Sequence, residues 1–125
     1  MATGKPNRSD HTVDYQGRKV FGGGENSIVS FSLDAATGEP TLLQHADSRC
    51  RHHVRTFAMD PGGRMMVAAS IKPMTVQEGT KMVTVPAALS VFRIAGDGKL
   101  EFARKYDIDT GADRSQYWMG INGLD

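Results

Sequence analysis

The sequence predicts an all-β chain, and three observations carry that expectation. No segment of the 125 residues shows a helical hydrophobic period. Short runs rich in β-branched and aromatic residues recur instead, bounded by Gly, Pro and Asp clusters. The clearest is residues 54–69. Phe57 and Met59 alternate on one side, Asp60-Pro61-Gly62-Gly63 supplies a turn, and Met65 to Ala69 runs apolar into a second strand. Proline presets the backbone angle at the second turn position, and glycine accepts positive φ without a steric cost.

Residues 1–12 are polar, rich in turn formers, and read as a tail. Residues 11–15 alternate weakly, Gln16-Gly17 makes a turn, and residues 18–21 start a strand that stops at Gly22-Gly23-Gly24. That triplet lacks the strand-to-helix context of a phosphate loop and reads as close-packed backbone or a bulge. Residues 26–33 are β-rich, residues 34–40 form a hairpin loop, and residues 41–46 a short outer strand. After the 54–69 hairpin, residues 71–87 read as a longer loop around Lys72-Pro73 and Glu78-Gly79, with a small extra strand at residues 81–85. Residues 88–94 are a strand, Ala95-Gly96-Asp97-Gly98 a turn, and residues 100–108 a two-faced strand. Residues 116–121 are expected to close the chain as a final apolar strand.

The order of these pieces repeats. Asp14-Tyr15-Gln16-Gly17-Arg18 lines up with Asp60-Pro61-Gly62-Gly63-Arg64, and residues 28–33 with residues 89–94. Thr37-Gly38-Glu39-Pro40 lines up with Asp97-Gly98-Lys99-Leu100, the difference in spacing being absorbed by the 71–87 loop. Four antiparallel strands with one variable loop are the signature of a propeller blade. Residues 13–47 would be most of one blade, residues 54–109 a whole blade, and residues 116–121 the first strand of another. Blades cover each other's apolar faces, and two blades cannot close a ring. Several hundred square ångströms of uncovered apolar surface forgo on the order of 10 kcal/mol, comparable to the stability of a whole domain. The chain is therefore expected to be the C-terminal part of a longer protein, or to self-associate through its exposed blade faces.

Fifteen basic against fourteen acidic residues leave a net charge of +1, and no Lys/Arg block is interleaved with aromatics, so nucleic acid is not an expected partner. No apolar run reaches transmembrane length and the N-terminus lacks the apolar stretch of a signal peptide. As written the chain reads as cytoplasmic with no membrane partner; a longer parent would leave the compartment open. Cys50, the single cysteine, excludes an internal disulfide framework and a thiolate zinc site. Arg49, Arg51, His52 and His53 would lower its pKa, but no other feature of a thiol enzyme accompanies it.

With these residues in view, the chain resembles the seven-bladed β-propeller lactonases, the family of bacterial 6-phosphogluconolactonase and the fungal carboxymuconate-lactonising enzyme. The pattern Arg55-x-Phe57-x-x-Asp60-Pro61-x-Gly63 carries the likeness, with Val67-Ala68-Ala69 ending the next strand. Residues 89–94 followed by Asp97-Gly98-Lys99-Leu100, and residues 26–34 with Thr37-Gly38, extend it over residues 13–121. The resemblance implies a partial seven-bladed propeller and hydrolysis of a small-molecule sugar lactone without a required metal or other cofactor. It also implies that Arg55 faces the central channel, although Val54 stands where the family has proline. The family's histidine and glutamate belong to blades outside this chain.

The chemistry of the residues agrees with that role. A lactone carbonyl gains negative charge as water adds, and a guanidinium stabilises the oxyanion or holds a carboxylate or phosphate through two parallel hydrogen bonds. The attacking water needs a base that works near neutral pH, which suits imidazole. Successive side chains on a strand point to opposite sides, so His53, which shares the parity of Arg55, is preferred over His52. The candidate catalytic residues are thus Arg55 and His53. The bland alternatives are a surface strand arginine paired with a carboxylate and an exposed loop histidine. Tyr117 and Trp118 read as packing between blades rather than as a sugar platform. His11 and His45 read as solvated, and Asp107 with Asp109 as a chance spacing rather than an acid–base pair. The reading from another class is a non-catalytic propeller fragment, a binding or assembly surface or an inactive truncated product.

Overall fold

The computed structural model describes residues 12–21, 26–49, 54–111 and 113–124. Among them the chain is all-β, with antiparallel sheets and no helix. Four antiparallel strands form the largest sheet: β5 (Val54–Met59), β6 (Met65–Ser70), β9 (Ala87–Ile94) and β10 (Leu100–Ile108), each beside the next in that order. Three hairpins surround it: β1 (Thr12–Tyr15) with β2 (Arg18–Phe21), β3 (Ser27–Leu33) with β4 (Pro40–Asp47), and β7 (Met74–Glu78) with β8 (Lys81–Val85).

Turn chemistry sets the hairpins. Gln16 and Gly17 both take positive φ, 49° and 73°, which matches the type I′ turn favoured between two strands. At the β5–β6 turn, the Asp60 carboxylate accepts the Arg64 and Met65 amides on Oδ1 at 2.7 and 2.6 Å and the Gly62 amide on Oδ2 at 3.1 Å. Asp34 repeats the device before β4, taking the Ala36 and Thr37 amides and the Thr37 hydroxyl on Oδ1. These are side-chain copies of backbone turn bonds, and they explain why aspartate opens both loops.

The core lies where β3–β4 packs on one face of the large sheet. Ala46 meets Met66, Ala68, Phe92 and Leu100, with Ile28, Val54 and Ile94 at its margin. Cross-strand pairing puts Met66 opposite Phe92 and Phe92 opposite Phe102, so the three share that face. A smaller cluster of Met74, Val76 and Val85 lies in the β7–β8 hairpin, and β2 runs alongside β7 with Val20 buried.

Three expectations are revised. Residues 71–87 are not a loop with one small strand but a full β7–β8 hairpin, turned at Gly79 with φ 60°. Glycine at the first position of a two-residue loop suits a type II′ turn. Residues 116–121 form no strand; the Gln116 amide donates to the Ile71 carbonyl at 2.6 Å and the stretch then runs irregularly. A strand needs a partner along its length, and the described residues supply one only at Gln116. Finally, the strands of residues 13–47 form two separate hairpins rather than one continuous sheet.

Candidate binding cleft at Arg55

Arg55 stands at an irregularity in β5. Val54 pairs with Ser70 and Thr56 with Ala69, so Arg55 is the extra residue of a β-bulge. A bulge interrupts the ladder and re-aims the side chains beside it, which is why bulges gather near binding sites. Val54, just before it, packs against the core cluster and holds the entry to the strand in place. The parity that favoured His53 over His52 assumes a regular strand through Arg55; both histidines, like Cys50, lie outside the described residues.

The second wall comes from the far end of the chain. Gln116 anchors it twice: its amide to the Ile71 carbonyl, and its Nε2 to the Ser70 carbonyl at 3.0 Å. Ser70 is fully buried, and its Oγ accepts the Ala88 amide at 2.8 Å, tying β6 to β9 at the same point. One serine thus braces both walls, since Val54 pairs with it and Gln116 bonds to it. Tyr117 follows Gln116, and the Arg55 guanidinium carbon lies 5.8 Å from the centre of its ring, within cation–π range.

Between the walls is an open cleft of about 560 Å³, lined by Arg55, Thr56, Phe57, Tyr117, Trp118 and Met119. Its size suits a small ligand. Trp118 is 93% exposed and Tyr117 is exposed too, so neither is packed within this chain itself. The arginine offers a planar pair of donors and the aromatics offer flat apolar faces. That combination recognises an anion attached to a ring. The Arg55–Tyr117 pairing was hidden because the two residues lie on distant segments, joined only through Ser70 and Gln116.

The other candidates do not converge. Asp107 pairs with Lys105 Nζ at 3.1 Å, and Asp109 accepts the Gly111 amide at 2.8 Å in a local turn. Each carboxylate is committed to its neighbours rather than aimed at a shared site. His45 is exposed on β4, opposite Val29. Among the described residues, no group of three or more His, Cys, Asp or Glu side chains is placed to hold a metal ion. The chain matches no family model, no curated protein and no solved structure.

Proposed function

We propose that the chain is a piece of a seven-bladed β-propeller lactonase, of the 6-phosphogluconolactonase type, in which Arg55 binds and polarises an anionic sugar lactone. The observation that carries the reading is the placement of Arg55 at a bulge, opening onto a ligand-sized cleft. The antiparallel order β5–β6–β9–β10 supports the reading, because a blade needs four such strands in one sheet, although the sheets of this chain are not arranged as blades.

In this reading water adds to the lactone carbonyl, the ring C–O bond breaks, and a hydroxy acid leaves. Arg55 stabilises the oxyanion or holds the substrate's phosphate or carboxylate. His53, two positions ahead of it in the chain, takes the proton from water. The full constellation needs neighbouring blades, so the isolated chain opens a lactone slowly or not at all. The test follows release of acid from a phosphorylated gluconolactone, above the spontaneous rate, for the chain and for Arg55→Ala and His53→Ala. Turnover that both substitutions remove supports the reading. Brisk turnover indifferent to Arg55 sinks it.

A second reading, a non-catalytic propeller fragment used for assembly, is favoured by one observation. Val29, Phe31 and Leu33 of β3 and Leu42 of β4 are all exposed. A patch of that kind marks a surface that another protein surface covers.

A further inference from the structure

We propose that Trp118 is a stacking face at the side of the Arg55 cleft, on which the ring of a sugar acid or its lactone packs while its charged group pairs with the guanidinium. The choice of ligand rests on the lactonase reading above; the role of Trp118 is additional to it.

Three features of the cleft support the assignment. First, Trp118 is 93% exposed and lines the same cleft as a cation. A large exposed aromatic beside a charged anchor is the makeup of a recognition surface, and a pyranose ring offers a flat face of C–H groups to such a platform. Second, the wall that carries it is anchored rather than loose. Gln116 bonds to both the Ser70 and Ile71 carbonyls, which places Tyr117 against Arg55 and Trp118 next along the chain. Third, the Tyr117 ring lies against the guanidinium at 5.8 Å, an arrangement that holds the fork of donors near one position before a ligand arrives. The ligand class follows from the pairing. A neutral sugar leaves the guanidinium unused, and a small inorganic anion leaves the indole unused.

The chain contains one tryptophan, so its fluorescence reports on Trp118 alone. Gluconate and 6-phosphogluconate are titrated against the intact chain, with glucose as the neutral control. Saturable quenching or a blue shift with the acids, and little with glucose, is the expected result. Arg55→Ala should weaken the acids by roughly tenfold or more, the loss of a charge-assisted pair. Trp118→Ala, followed by calorimetry because the fluorophore is gone, should weaken them about fivefold, the contribution of one aromatic contact. A thermal melt of each variant shows that the fold is retained; both side chains are exposed, so little change is expected.

No response of the emission to either acid at high millimolar concentration overturns the proposal. So does equal binding of glucose, or an emission that shifts blue with protein concentration alone, which would mean that a second copy covers the indole. The two readings fail separately. Lactone opening unaffected by Trp118→Ala leaves the lactonase standing and removes the stacking face. Acid binding that needs both residues, without any lactone opening, keeps the cleft and removes the reaction.

Discussion

The side chain of Gln44 closes both backbone polar groups of Leu100: its Oε1 accepts the Leu100 amide at 2.7 Å, and its Nε2 donates to the Leu100 carbonyl at 3.0 Å. Leu100 opens β10, which is an edge strand of the large sheet, so at this position the carboxamide stands in for a neighbouring strand. The same pair locks the β3–β4 hairpin onto the sheet beside the Ala46–Phe92–Leu100 core.

Gln44→Leu keeps the bulk but leaves an amide and a carbonyl without partners at a buried residue. It should cost about 1–3 kcal/mol, the desolvation of groups left unpaired. Gln44→Glu should also destabilise at neutral pH, because a carboxylate cannot donate to the Leu100 carbonyl. Urea denaturation measures both. Ser30, opposite Gln44, gives the contrast: its Oγ is buried with no hydrogen-bond partner among the described residues. Ser30→Ala should be neutral or slightly stabilising. A loss matching that of Gln44→Leu would mean that the hydroxyl is satisfied in solution.

The core prediction concerns Phe92, 1% exposed, whose ring meets Phe102 edge-on with centroids 5.8 Å apart and planes at 74°. Phe92→Ala should cost about 3–5 kcal/mol, through lost burial and the cavity left behind. That is enough to unfold much of a small domain. Phe102 is exposed on the same face, and its replacement should cost clearly less. A double-mutant cycle isolates the ring contact, expected at roughly 0.5–1.5 kcal/mol. Equal losses at the two positions would place the core elsewhere.

Acid sensitivity should trace to the turn aspartates. The Met65 amide is the main cause holding the Asp60 carboxyl below its ordinary value of 3.8; partial desolvation opposes it, and the Arg64 and Gly62 amides and the Arg64 guanidinium reinforce it. Asp34 is lowered chiefly by the Thr37 amide, then by the Thr37 hydroxyl and the Ala36 amide. A carboxyl whose pKa is depressed on folding stabilises the fold above its unfolded value, and that contribution is lost as pH falls through the folded value. The melting temperature should therefore be flat from neutral pH down to about 5, then fall below the usual aspartate range. Asp60→Asn should melt lower at pH 7 and show a shallower acid decline. An acid limb identical to that of the parent chain would exclude Asp60 as its source.

What the sequence could reveal divides along the same line as these interactions. The Asp60-Pro61-Gly62-Gly63 turn and the strands on either side were legible because the signals are local: a preset φ, a permissive glycine, an aspartate that folds back on its own amides. The 54–109 order of strands was legible for the same reason. Strand β7 was not, because Met74–Glu78 follows Lys72-Pro73 and becomes a strand only by pairing with β8 across Gly79. Register is also non-local. Nothing in Val54-Arg55-Thr56 announces that Arg55 is skipped by its partner strand, and the periodicity of Gln116 to Ile121 does not say whether an edge is there to receive it. The aromatic side of the cleft was not legible for that reason, since an exposed tryptophan and a packed one look alike in a sequence.

The last prediction concerns the uncovered side of β3–β4. Side chains alternate along a strand, and Ile28 and Ala46 face the large sheet, so Val29, Phe31 and Leu33 point the other way. Leu42 joins them by pairing with Phe31. Phe31 is 52% and Leu33 67% exposed, so replacing them removes little that is buried within the chain. Phe31→Ser with Leu33→Lys should therefore change unfolding free energy by no more than about 0.5 kcal/mol per site. If this face meets another surface, the double variant should bind less of an apolar dye and sediment as a smaller species than the parent at matched concentration. A parent chain that is monomeric and dye-free at every concentration would exclude assembly through this face. A loss of several kcal/mol from Phe31→Ser alone would show that the face is already covered within one chain, and would take away the argument for neighbouring blades.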